Sequence, residues 1–92
     1  MTYRVHAYSS VESDLAAMAK PDQMRIRKAI RSLAAEPRPP GASKLAGYAD
    51  VYRIRIGSHR IAYKIHDREL LVIVVAAAGR DGIYPLIKRR TR

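Results

Sequence analysis

The chain has 92 residues, with 18 Lys and Arg against 8 Asp and Glu, for a formal net charge of +10. That length supports one modest core and a single domain spanning 1–92, and the charge predicts attraction to nucleic acid, a ribosome, an anionic membrane or an acidic protein. The absence of cysteine excludes disulfides, thiolate catalysis and cysteine-bound metal; with no apolar run long enough for a signal peptide or a membrane span, a cytoplasmic protein is expected.

In chain order, Tyr3 to Tyr8 alternates Tyr3, Val5 and Ala7 against Arg4, His6 and Tyr8, which predicts a first strand. Ser9, followed three residues later by Glu12, reads as a capping box opening a helix with Val11, Leu15 and Met18 on its apolar face. Lys20 and Pro21 interrupt that pattern. A second helix is expected from about Pro21 to Ala35, with Ile26, Ile30, Leu33 and Ala34 on one side and Arg25, Lys28 and Arg31 around the rest. So short a junction predicts an antiparallel helical hairpin packed on one face of a sheet. Glu36 to Ser43, EPRPPGAS, has three prolines that fix φ and remove N–H donors, so it reads as a stiff, extended connector.

Val51 to Ile65, VYRIRIGSHRIAYKI, alternates apolar and basic residues on either side of Gly57 and Ser58, the pattern of a β-hairpin with a two-residue turn. Pairing then sets Arg55 opposite Arg60, Ile54 opposite Ile61, Arg53 opposite Ala62 and Tyr52 opposite Tyr63. Tyr52, Ile54, Ile61, Tyr63 and Ile65 share an apolar face, and Arg53, Arg55, Arg60 and Lys64 share a positive one. Like charges set opposite each other weaken a sheet by about 0.2–1 kcal/mol per pair. Four cations without an acid among them therefore point to a phosphate-rich partner, which guanidinium groups bind with paired hydrogen bonds.

His66 to Glu69 reads as a polar turn, and Leu70 to Ala78, LLVIVVAAA, as a strand covered on both faces and hence central. The expected fold is α+β, ordered β-α-α-β-β-β: an N-terminal strand, a helical hairpin and three antiparallel strands in a four-stranded sheet of order 1-4-3-2. A short basic C-terminal tail follows, with a short turn or helix at Leu86 and Ile87. His6, His59 and His66 share no metal-ligand spacing, and there is no nucleotide-binding glycine loop, so neither metal nor cofactor is expected. Nothing in the spacing favours a serine or histidine hydrolase.

PRPPGASKLAGY, VYRIRIGSHRIAYKI and GRDGIY after the apolar strand, in that order, resemble the RelE/ParE superfamily of bacterial toxins from type II toxin–antitoxin modules. The RelE branch implies a metal-independent endoribonuclease that cuts messenger RNA on the ribosome and inhibits translation, by attack of a ribose 2′-hydroxyl on the adjacent phosphate. Such cleavage needs a proton acceptor, positive charge on the phosphate and a proton donor for the leaving oxygen. The resemblance carries the active site onto Arg53, Arg55, Arg60, Arg80 and Tyr84: Arg60 and Arg80 for phosphate stabilisation, Arg55 for charge and orientation, Tyr84 for base stacking or proton transfer. Lys44, Lys64, Lys88, Arg89 and Arg90 are the expected RNA contacts. Relatives often carry lysine at the places of Arg53 and Arg55; arginine keeps its proton, which leaves Lys44, Lys64, His66 and Tyr84 as candidate bases. Gly79 and Asp81 also differ from the histidine and basic residue common there.

Implied partners are an acidic, partly disordered cognate antitoxin, the ribosome with its messenger, and promoter DNA bound by the toxin–antitoxin complex. The ParE branch implies instead a poison of DNA gyrase that acts by binding, and a third alternative is a non-toxic nucleic-acid-binding relative. The full set of four arginines and Tyr84 favours the ribonuclease.

Overall fold

The structure is a computed structural model and describes residues 2–91. Its elements are β1 (Arg4–Ala7), α1 (Ser9–Ala16), α2 (Lys20–Ser32), β2 (Ser43–Lys44), β3 (Val51–Ile56), β4 (His59–His66), β5 (Leu71–Gly79) and α3 (Ile83–Arg90). The strands form one five-stranded sheet in the order β1-β5-β4-β3-β2. The order expected for the four longer strands is found, with β1 parallel to β5 and the other pairs antiparallel. Two features correct the expected fold. An edge strand, β2, is added; with only two residues it offers no alternation to read. The short turn or helix expected at Leu86 and Ile87 is a longer helix, α3, which takes in most of the expected basic tail and completely buries Ile83 and Ile87.

One sheet face carries the main core. Val11 and Leu15 of α1 and Ile26 of α2, with Leu33 just beyond it, pack on Ile54, Ile61, Tyr63, Ile65, Val72 and Val74. Both apolar faces read from the helical periodicity point inward, because tertiary burial supplies most of the stability of helices this short. The capping box does not form. Ser9 lies inside α1, the N-cap residue is Tyr8 and no side chain caps the helix. Glu12 instead accepts two hydrogen bonds of 3.0 Å from Arg27, tying α1 to α2, since a guanidinium is a stronger donor than a backbone N–H.

The proline-rich connector is fastened to the sheet and turns as it goes. The Tyr63 hydroxyl donates to the Pro37 carbonyl at 2.8 Å, and burial pushes the Tyr63 phenol up to about 12. Arg38 donates to both Asp67 oxygens, at 3.1 and 2.8 Å, and its guanidinium lies 5.1 Å from the centre of the Tyr52 ring. Tyr3 donates to the same carboxylate at 2.6 Å. Hydrogen bonds from Arg38 first, and Tyr3 second, hold Asp67 down at about 2.

The opposite face is not simply positive, as the alternation alone implied. Half of it is a second apolar cluster in which Ile83 and Ile87 of α3 cover Leu45, Val51, Ala62, Val75 and Ala76. A bulge makes room for this. The β4–β5 register shifts between Ala62, opposite Ala76, and Tyr63, opposite Val74, so Val75 has no ladder partner. Its carbonyl accepts from Arg90 at 3.0 Å. Arg90 also holds Asp14 with bonds of 2.8 and 3.1 Å, and Asp14 accepts the Ala77 N–H at 3.1 Å.

Candidate functional site: an arginine cluster around Tyr84

Gly57 has φ of +63°, a left-handed turn conformation that costs glycine little. That turn sets the hairpin register, with Arg55 opposite Arg60 and Arg53 opposite Ala62, as the sequence predicted. Strand alternation then brings Arg53, Arg55 and Arg60 to the face that α3 partly covers. α3 starts with buried Ile83, and this anchor places the next residue, Tyr84, against the arginines. The Tyr84 hydroxyl oxygen accepts a hydrogen bond from Arg53 at 2.8 Å and another from Arg60 at 2.6 Å. Both guanidiniums also lie near its ring, 5.8 and 6.0 Å from the centroid.

Arg55 and Arg60 stand directly opposite yet diverge. Arg55 Nε donates to the Gly57 carbonyl at 3.1 Å, while Arg60 turns to Tyr84. Between them opens a cleft of 280 Å³ lined by Arg55, Ser58, Arg60 and Arg80, with no acidic side chain in its wall. Among the described residues, none of Arg53, Arg55, Arg60 and Arg80 is paired with a carboxylate. Such a cleft can hold a tetrahedral or pentavalent oxyanion with charge-assisted donors on several sides. Tyr84, tied to Arg60, adds a hydroxyl beside that wall.

The other predicted residues are spread more widely. Lys64 shares the arginine face, opposite Val51 and Ile73. Lys44 pairs with Tyr52, so alternation puts it on the helix-bearing side, and Ser43 takes the place opposite Arg53. His66 lies 3.9 Å from the Asp50 carboxylate. It is six residues along β4 from Arg60, roughly 20 Å at strand rise, too far to act as base in the cleft. Lys88 lines a second, apolar cleft of 440 Å³ with Leu45, Ala46, Tyr48, Tyr84 and Pro85. Arg89 is exposed. Arg90, expected to touch RNA, is instead committed to Asp14 and Val75 and its side chain is only 15% exposed. Sequence reading missed Asp14 altogether: its partner is 76 residues away, and no local pattern reports such a pairing.

A mixed sheet with a helical hairpin on one face and an arginine–tyrosine cluster beside a C-terminal helix defines a small α+β fold with a cationic, anion-binding site. An archaeal RelE solved in complex with RelB, from Pyrococcus horikoshii OT3, superimposes with a TM-score of 0.77 at 28% identity, covering 87% of this chain and 97% of that one. The E. coli toxin RelE, solved as a double mutant in the free state, gives 0.78 at 19% identity, with 99% and 96% covered. A candidate toxin of Methanocaldococcus jannaschii, RelE1, is 26% identical over 87 residues, 91% of this chain and 97% of its own. The family described as the ParE toxin of the type II toxin–antitoxin system parDE matches residues 3–82. The chain belongs to this RelE/ParE family of type II toxin–antitoxin toxins.

Proposed function

We propose that the protein, acting as one domain in the cytoplasm, is a ribosome-dependent endoribonuclease that cuts messenger RNA without a metal ion. The observation that carries this reading is the Tyr84 hydroxyl held by Arg53 and Arg60 at the edge of an acid-free cleft of Arg55, Arg60 and Arg80. In the reaction a ribose 2′-oxygen forms a bond to the adjacent phosphorus, its proton passes to an acceptor, and the 5′-oxygen departs with a proton. The products are a 2′,3′-cyclic phosphate and a 5′-hydroxyl. Arg60 and Arg80 stabilise the pentavalent phosphate, Arg55 adds charge and orientation, and Arg53 holds the tyrosine. Tyr84 is the proton-transfer group. Of the candidate bases it alone adjoins the cleft: Lys44 is on the other sheet face, His66 is remote, and Lys64 lies four residues along β4 from Arg60.

The cognate partner is an acidic antitoxin that folds on the cationic face, and the pair together binds its own promoter. Relatives from Pyrococcus horikoshii OT3 and Mycobacterium tuberculosis were solved as RelE–RelB and RelBE2 toxin–antitoxin complexes. Lys64, Lys88 and Arg89 are the flanking RNA contacts. A second reading, a gyrase poison acting by binding, has one observation in its favour: the matching family description is that of ParE. The deciding experiment translates a defined messenger in a purified bacterial system and maps new 5′ ends by primer extension. Cuts in phase with ribosomal A sites, lost without ribosomes, are expected, and Arg60→Ala or Arg80→Ala should each slow the chemical step about 10²- to 10³-fold while ribosome binding changes less. Intact messenger at high protein concentration, with inhibition of gyrase supercoiling, would establish the second reading instead.

A further inference from the structure

The arginines of the cleft do not end at the hairpin turn. α2 lies across the other sheet face, yet Arg25 reaches the turn: a Cβ placed on Gly57 would stand 3.0 Å from Arg25 Nη1. Its guanidinium therefore lies against the same two-residue turn whose carbonyl accepts from Arg55. Gly57 and Ser58 are small, so no bulky side chain separates the cleft from α2. The Arg25 side chain is 59% exposed, and among the described residues its ion-pair partner is Asp22, one helical turn away at a loose 3.9 Å. Lys28 follows one helical turn later, on the same flank of α2, exposed and unpaired among the described residues. Arg27 behaves differently. It points to the opposite flank and is held by both oxygens of Glu12. A track of cations thus runs from Arg80, Arg60 and Arg55, over the turn, to Arg25 and Lys28.

We propose that Arg25 and Lys28 form a binding surface for the sugar–phosphate backbone of single-stranded RNA, taking the nucleotides that flank the phosphate held in the cleft. This rests on the reading of the cleft as a site for an RNA phosphate. The chain would leave the cleft over Gly57 and Ser58, where the lack of side chains lets a backbone pass close, and would meet α2 through its phosphates. Binding at α2 is then sequence-tolerant and strongly salt-dependent.

The test uses 2′-O-methyl oligoribonucleotides, which lack the attacking hydroxyl, so that affinity is read without cleavage. Fluorescence anisotropy compares a dinucleotide with a strand of about eight nucleotides, for the wild type and for an Arg25→Ala/Lys28→Ala variant whose fold is checked by circular dichroism. Wild type is expected to hold the longer strand more tightly. The variant should bind the dinucleotide unchanged and lose the length advantage, its salt slope falling by about 1.4, or 0.7 for each phosphate contact removed. Equal binding of both lengths by variant and wild type would overturn the α2 surface and leave the cleft standing. Failure of the wild type to bind either length would likewise overturn this inference, whereas the reading of the cleft is overturned only by intact messenger in the ribosome assay above.

Discussion

Removal of the Arg90 guanidinium should be the most destructive single change at this protein's periphery. β1 ends at Ala7, opposite Val74, so the edge of β5 beyond that point has no strand beside it. Asp14 from one sheet face and Arg90 from the other close it, through the Ala77 N–H and the Val75 carbonyl. The two side chains are only 9% and 15% exposed. In Arg90→Ala the carboxylate keeps a single donor in a mostly buried place and the Val75 carbonyl loses its partner. An unmet buried carbonyl costs about 1–3 kcal/mol and a broken buried pair about 3–5; the residual exposure argues for the lower part of that range, a loss of about 3 kcal/mol. Against a net stability of about 5–14 kcal/mol for a chain of this length, that lowers Tm by roughly 12–24 °C. Thermal and urea unfolding measure it, and a double-mutant cycle with Asp14→Ala isolates the coupling between the two side chains. A fall of less than about 4 °C, equivalent to less than about 1 kcal/mol, would refute the reasoning. So would a cycle with no coupling.

Tyr84→Phe keeps the ring but removes the oxygen that accepts from Arg53 and Arg60; messenger cleavage should fall about 10²-fold or more, with ribosome affinity nearly retained, as single-turnover assays on programmed ribosomes can show. Asp67 is held at about 2 in the folded protein against an ordinary 3.8, so its contribution to stability is present above pH 3.8 and is lost as pH falls towards 2. Arg38→Ala should flatten that acid limb in urea unfolding at stepped pH; an unchanged limb would remove Arg38 as the cause. Tyr63 has the opposite sign: its phenol is raised to about 12 from 10.0, so its stabilisation is complete below pH 10 and is lost as pH rises through 12. Tyr63→Phe should therefore weaken the alkaline dependence of stability, and one late phenolate step should vanish from the ultraviolet titration.

Much of the hairpin is legible in the sequence. Alternation along Val51 to Ile65 around a glycine turn determines both the partners and the faces, because a one-residue slip would expose every apolar side chain. The same holds for β5: an unbroken apolar run has to be buried on both faces, and the two covers are the helical hairpin and α3. Arg55 and Arg60 of the cleft were legible for that reason, and Arg80 and Tyr84 once the family resemblance was seen. Lys44 was not. Its face depends on the register of a two-residue strand, which pairs it with Tyr52 and away from Arg53.

Local pattern thus determined the register of the hairpin, the order of the four longer strands and the existence of a cationic face, since each follows from the period of side chains along one stretch of chain. Tertiary structure alone decided what the ends of the chain do. Whether Arg90 meets solvent or Asp14, whether Glu12 caps its own helix or holds Arg27, and whether Arg25 reaches the hairpin turn depend on groups far away in sequence. A charged side chain takes the strongest partner that folding brings within reach, and no neighbouring residue records which one that will be.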